Sequence, residues 1–236
     1  MLDYLLPAFE SQYGCRVYVV AVGSGAAIRY GCDGNADLVM AHDPELEERA
    51  MSRGFFEERR LILGNDFVIV GPPSDPAGIS EASSAVEALR RIAAQKIPFV
   101  SRSDHSGTHQ RELELWARAG QKPRGSWYIE SGGGMAQALR VAGEKGAYCL
   151  TDRATFLVQG RSSGLAVLFE DSTDLINPYH ALLISRSRHP AGRRALAKKL
   201  LEFLTSPRGQ AMIAAYGIEE YGRPLFYPAA RLNQAR

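Results

Sequence analysis

Three cysteines in 236 residues are too few for a disulfide framework, and Cys15, Cys32 and Cys149 fall at no metal-ligand spacing. A Cys15–Cys32 bridge has no support in the sequence, so buried free thiols are expected. No apolar stretch approaches the roughly 20 residues of a membrane span. No signal peptide stands ahead of the first helical pattern, because Met1 leads straight into Leu2, Leu5, Leu6 and Phe9. The formal net charge is +2, and no basic run is interleaved with aromatics, which excludes a nucleic-acid surface. No fixed-period repeat occurs, which excludes a solenoid. Also missing are a Walker Gly-Lys-Ser/Thr, a G-x-G-x-x-G fingerprint with its downstream acid, and an H-E-x-x-H pair. No G-x-S-x-G elbow joins a strand to a helix.

What is present is an ordinary globular balance, 45% hydrophobic and 23% charged, with ample material for a core. Helical patterns and short apolar runs alternate. Arg16–Val22 is β-branched and bounded by glycines, and it predicts a buried strand. Gly23-Ser24-Gly25 turns it into a short helix ending near Gly31. Further strands are predicted at Ala36–Met40, Phe67–Val70, the run ending at Val100, Trp127–Ile129, Ala147–Leu150, Leu165–Phe169 and Tyr179–Ile184. Helices are predicted from Pro44 to Gly54, over Ser84–Gln95, through Met135–Lys145, after Asp152, and as two closing helices, the second starting at Pro207. Strand–loop–helix repetition argues for an α/β fold with mostly parallel sheets. Breaks near Asn65–Pro73 and Asn177–Tyr179 suggest that the middle of the chain is inserted into a discontinuous first lobe.

The densest chemistry lies in Ser101-Arg102-Ser103-Asp104-His105-Ser106-Gly107-Thr108-His109. An apolar run, Ile97–Val100, precedes it, and a helical pattern of Leu113, Trp116 and Ala117 follows. Hydroxyls, a glycine and an arginine are thereby placed at a helix N-terminus, where free N–H groups and the helix dipole favour an anion. Arg102 adds a fork matched to oxygen anions. Gly23-Ser24-Gly25 and Ser131-Gly132-Gly133-Gly134 occupy equivalent strand-to-helix loops, where ligands gather in α/β sheets. Each loop alone reads equally well as a turn or cap; three together, one with Arg102, point to an anion. His105 and His109 are four apart, as two metal ligands would be, or either could serve as a base. The missing motif contexts weigh against both uses, and Asp104 is expected to cap the helix or hold Arg102. Arg29, Arg59 and Arg60, and Arg193, Arg194, Lys198 and Lys199, read as solvated charges. His42 and His180 have no evident partner, and Trp116 and Trp127 read as core.

The string Ser101-Arg102-x-Asp104-x-Ser106-Gly107-Thr108-His109 is specific. Together with Leu5-Leu6-Pro7-Ala8-Phe9-Glu10, Val20–Gly25, Asn65–Pro72, Lys145–Tyr148, Leu150-Thr151-Asp152-Arg153 and Pro224–Pro228, it resembles the tungstate-binding branch of ABC-transporter substrate-binding proteins. The resemblance runs almost end to end. It implies a type II periplasmic-binding-protein-like fold of two lobes, residues 1–70 with 179–236 and residues 71–178, each a mostly parallel sheet flanked by helices. It implies no enzyme and no cofactor, but a ligand, tungstate or molybdate, held by Ser24 from lobe one and by Arg102, Ser106, Gly107, Thr108 and Ser131 from lobe two. It further implies a monomer working with a membrane permease, periplasmic or extracytoplasmic, secreted with a signal peptide absent from this sequence. Family members begin with a strand and a Thr/Ser-rich loop ahead of the first helix. Met1 stands where that strand would have ended, so a missing strand, an incomplete donor set, weaker binding and an exposed sheet position are expected. The alternatives are a phosphate- or sulfate-binding protein of the same fold, or a small phosphoesterase or hydrolase using His105 or His109.

Overall fold

A computed structural model of the protein describes residues 1–170, 174–187 and 193–234. In chain order the first half runs α1 (Leu2–Tyr13), α2 (Ser24–Cys32), β1 (Leu38–Ala41), α3 (Pro44–Ser52), β2 (Phe56–Gly71), α4 (Ala85–Gln95), β3 (Phe99–Ser101) and α5 (Gly107–Arg118). The rest runs β4 (Tyr128–Glu130), α6 (Met135–Lys145), β5 (Tyr148–Asp152), α7 (Arg153–Gln159), β6 (Ala166–Phe169), β7 (Ile176–Ile184), α8 (Arg194–Thr205), α9 (Pro207–Ala215), α10 (Ile218–Tyr221), β8 (Tyr227–Pro228) and α11 (Ala229–Gln234). Contacts divide the chain into two compact units, Met1–Gly64 with Pro178–Arg236, and Asn65–Asn177.

The helix starts follow local chemistry. Asp43 caps α3 by accepting the Leu46 N–H at 3.1 Å, while Glu47 reaches back to the Asp43 N–H at 2.9 Å. This reciprocal pair is the capping box, with Pro44 at the first helical position. Ser84 and Ser106 cap α4 and α5 by accepting the Glu87 and His109 N–H groups.

In the second unit the strand order is β4-β3-β5-β2, with β6 also on β2. Successive residues point to opposite faces of this sheet. Phe67, Ile69, Phe99, Tyr148 and Leu150 therefore enter one core with α4 and α5 residues such as Leu89 and Trp116. Val68, Val70, Val100 and Cys149 enter the other, against Met135, Leu139 and Phe156. In the first unit β1 pairs with β7, and β8 pairs with β2. Ala181 and Leu183 face a core with Leu5, Phe9 and Leu201, while Leu182 and Ile184 face Ile28, Val39 and Phe56.

Several expectations are corrected. The sheets are mixed rather than mostly parallel: β3 runs parallel to β4 and β5, whereas β1–β7, β2–β5, β2–β6 and β2–β8 are antiparallel. Parallel pairing needs a crossover, and α5 and α6 supply one only along β3, β4 and β5. Arg16–Val22 forms no strand among the described residues, and Tyr18 is 81% exposed. Alternating β-branched residues favour an extended backbone, but a strand exists only where a neighbour takes up its N–H and C=O groups. Here the Val17 N–H instead donates to the Glu10 carboxylate at 2.6 Å. The strand expected at Phe67–Val70 begins at Phe56, its first half hidden behind Glu57, Glu58, Arg59 and Arg60. The chain closes with four helices, not two. Among the described residues no disulfide joins the three cysteines, Cys149 fully buried and the other two half-buried. Among the described residues no helix is long and apolar enough to cross a membrane.

Candidate functional site

The loop between β3 and α5 is held from several sides. Ser101 is fully buried; its hydroxyl accepts the Ser103 N–H at 3.2 Å and its carbonyl accepts the Ser131 N–H at 2.9 Å. Ser103 and His105 both adopt left-handed backbone, at φ 51 and 57, which costs a residue bearing Cβ about 1–2 kcal/mol. The His105 N–H donates to His109 Nδ1 at 3.1 Å, closing that turn. Burial, with the His105 charge nearby, lowers the His109 pKa, so the ring is neutral and Nδ1 remains an acceptor. Replacing Ser103 by Gly is expected to stabilise the protein by about 0.5–1 kcal/mol in urea unfolding, since glycine accepts positive φ without strain. Ser103→Ala, which keeps the strain, is expected to show no such gain.

Arg102 and Asp104 form one unit. The guanidinium donates to Asp104 Oδ2 from Nε at 3.0 Å and from Nη2 at 2.5 Å, and Asp104 Oδ1 accepts the Ser106 N–H at 3.1 Å. Burial opposes ionisation of Asp104, but the bonds from Ser106 and Arg102 outweigh it and lower the pKa. The carboxylate is thus committed to the protein, and Nη1 of Arg102 is left for an outside acceptor. Ser106 spends its hydroxyl on the His109 N–H at 3.4 Å as the N-cap. The Gly107 and Thr108 N–H groups, first in the helix, have no intrahelical acceptor, and Thr108 is 8% exposed. Ser131 Oγ donates to the Arg102 carbonyl at 3.3 Å, so this hydroxyl braces the arginine. Gly132 turns at φ 63, and α6 starts from Gly134 with no side-chain cap.

Five expected site residues therefore share one loop cluster of the second unit. Ser24 belongs to the first unit, at the start of α2, where its Oγ accepts the His42 N–H at 3.2 Å. Its surroundings revise two readings. His180 is not partnerless: its Nδ1 lies 3.0 Å from Glu47, and Arg59, read as a solvated charge, reaches the same carboxylate at 2.8 Å. Glu47 is fully buried; burial opposes its ionisation, and bonds from His180 and Arg59 overcome that, lowering its pKa. His42 stacks on Tyr179 with ring centroids 4.6 Å apart.

Glu112 was not singled out by sequence reasoning. It is 3% exposed, directly behind the loop, and accepts from Tyr128 OH at 2.7 Å and Trp116 Nε1 at 3.2 Å. Burial pushes its pKa up to about 7, against the opposing pull of Tyr128, the nearby Ser101 and Trp116. The signal was its spacing, four before Trp116 on one helix face. The buried stripe of α5 is Thr108, His109, Glu112, Leu115 and Trp116, whereas Leu113 is exposed. The pattern expected from Leu113, Trp116 and Ala117 is thereby corrected.

Among the described residues no group of three or more His, Cys, Asp or Glu side chains could hold a metal ion. Gly160-Arg161-Ser162-Ser163-Gly164 does spell G-x-S-x-G, but on a 3-10 turn after α7 rather than between a strand and a helix. What the loop cluster offers is donors: an arginine fork, open helix N–H groups and a buried threonine.

The PBP superfamily domain matches residues 1–208. The chain is 39% identical to the tungstate-binding protein TupA of Peptoclostridium acidaminophilum over 98% of this chain and 81% of that one. It is 32% identical to TupA of Campylobacter jejuni over 99% and 88%. Among solved structures it resembles the tungstate-binding protein TupA of Desulfovibrio alaskensis, at 35% identity and TM-score 0.88, covering 97% of this chain and 92% of that one. The tungstate ABC transporter protein of Geobacter sulfurreducens aligns at 42% identity and TM-score 0.80, covering 91% and 92%. Fold, motif string and relatives agree: the chain belongs to the PBP superfamily, in the family that contains these tungstate-binding proteins.

Proposed function

We propose that this protein is the substrate-binding component of an ABC transporter, capturing tungstate or molybdate for import. The observation that carries this reading is the commitment of Asp104. Asp104 accepts from Arg102 and from the Ser106 N–H, and Glu130, the other carboxylate at the loop, accepts from the Ser103 hydroxyl, so each carboxylate here already has a donor of its own. A fully deprotonated oxyanion only accepts hydrogen bonds and suits such a surface; a protonated phosphate needs an acceptor in return.

In the proposed mechanism the open Gly107 and Thr108 N–H groups, the Thr108 hydroxyl and Arg102 Nη1 hold the anion from the second unit. Ser106 and Ser131 act mainly by fixing the helix start and the arginine backbone. Ser24 and the N-terminus of α2 offer a further set of donors within the first unit. The anion is then handed to a membrane permease on the extracytoplasmic side, with no bond made or broken. His109 Nδ1 is spent on the His105 N–H, which disfavours a hydrolytic base there. No resident cofactor enters this reading, and one monomer suffices.

Competitive calorimetry with tungstate, molybdate, phosphate and sulfate tests it. Tungstate and molybdate are expected to bind at least a hundredfold more tightly than phosphate, about 2.7 kcal/mol. Phosphate or sulfate displacing tungstate at equal concentration would replace this reading with the phosphate or sulfate alternative.

A further inference from the structure

Glu112 is a nearly inaccessible carboxyl in the second turn of the helix whose N-terminus faces the anion. A negative charge there draws on the same positive end of the helix dipole that attracts the ligand. It adjoins the loop: the Ser101 hydroxyl near Glu112 accepts the N–H of Ser103, next to Arg102. We propose that Glu112 is a proton-linked positioning residue, which takes up a proton from solvent when the Arg102 loop binds a divalent oxyanion and releases it when the anion leaves. This inference rests on the oxyanion-binding reading above.

The surroundings favour a proton on this group. Tyr128 and Glu130 face it from β4 and Cys149 from β5, with Arg102 at the end of β3. Glu130 disfavours the charged form. Burial and the nearby Glu112 charge both push the Tyr128 hydroxyl up, and burial with Glu112 raises Cys149, so neither releases a proton in its place. On its own helix His109 is neutral and bonded to His105. Arg90 on α4 is turned to the far end of α5, bonding the Ala119 carbonyl at 3.1 Å, and leaves Glu112 without a cation from that side.

The sign follows from linkage. A bound dianion raises the Glu112 pKa further, because like charges disfavour ionisation. Around and above pH 7 the complex therefore holds more protons than the free protein, and affinity falls as pH rises. A coupling of one pKa unit corresponds to about a tenfold loss of affinity once Glu112 is ionised in the free protein.

The experiment is titration calorimetry with micromolar molybdate, a dianion throughout, between pH 6.5 and 8.5 in buffers of different ionisation heat. The wild-type protein is expected to take up a fraction of a proton per anion, greatest above pH 7, and to lose about tenfold in affinity across the range. Glu112→Gln, which keeps the shape and the bonds from Tyr128 and Trp116, is expected to bind with no uptake and a flat pH profile. Binding by wild type with no proton uptake overturns the proposal while leaving the anion reading intact; so does uptake that persists in a folded Glu112→Gln. The wild-type proton count decides even where that variant does not fold. Absence of molybdate and tungstate binding at every pH overturns the anion reading, and this inference with it.

Discussion

Arg102→Ala is expected to erase the thermal stabilisation that tungstate gives the wild-type protein. Tungstate at a hundred times its dissociation constant adds about 2.7 kcal/mol, a rise of about 5–10 °C for a chain of this size. Arg102 offers its charge and the two N–H groups of Nη1, its Nε and Nη2 being on Asp104, and each hydrogen bond to a charged group contributes about 1.5–3 kcal/mol. Its loss should weaken binding at least a hundredfold, which removes the shift at the same ligand concentration. Unliganded stability should fall by about 1–2 kcal/mol, because Arg102 and Asp104 are only 18% and 21% exposed and Asp104 loses its charged donor; the readout is therefore the tungstate-induced shift of each variant against its own unliganded Tm. Arg102→Lys keeps the charge without the fork and should fall between the two. An undiminished tungstate shift in Arg102→Ala would remove Arg102 from the site.

The largest expected loss of stability lies elsewhere, at Arg153. This side chain is buried at the start of α7 and donates from Nε to both oxygens of Asp66, at 2.9 and 2.8 Å, while Nη2 reaches Asp66 and Glu170. It ties β2 to the residue that follows β6. Arg153→Ala leaves Asp66 without its partner, and breaking a buried pair on one side costs about 3–5 kcal/mol. Glu170 is 58% exposed and its release costs little, so about 3 kcal/mol is expected by denaturant unfolding, or some 6–12 °C in Tm. Arg153→Met with Asp66→Leu should recover part of the loss by removing both charges. A loss below about 1 kcal/mol in Arg153→Ala would mean that water already compensates Asp66, as at an exposed pair.

The strand-to-helix loop was legible because its meaning is local. Ser101–His109 follows an apolar run and precedes a helical period, which placed it at a helix start; of the two roles expected of Asp104 it holds Arg102, and Ser106, expected as a ligand, is the cap. The relation of Asp104 to Arg102 followed from charge and a spacing of two. Features that depend on distant partners were not legible in the same way. Arg16–Val22 has strand composition, but pairing is a property of neighbours, and among the described residues it joins no strand ladder. Arg59 and His180 looked solvated and solitary because Glu47, which bonds both, stands in another element. Glu112 was passed over because a charged residue on a helix is ordinarily exposed; only the ring of Ser101, Trp116 and Tyr128 around it marks it as buried. Sheet direction failed for a related reason. Alternating strands and helices suggest parallel crossovers throughout, but β2, β6, β7 and β8 enter their sheets by other routes.

The central claim, that the loop leading into α5 is one wall of an oxyanion site, is tested most directly by anomalous diffraction at the tungsten edge from crystals grown with tungstate. The account expects a single strong peak with its oxygens about 3 Å from Arg102 Nη1 and the Gly107 and Thr108 nitrogens. A fully occupied tungstate bound away from Arg102 and the start of α5 would contradict it.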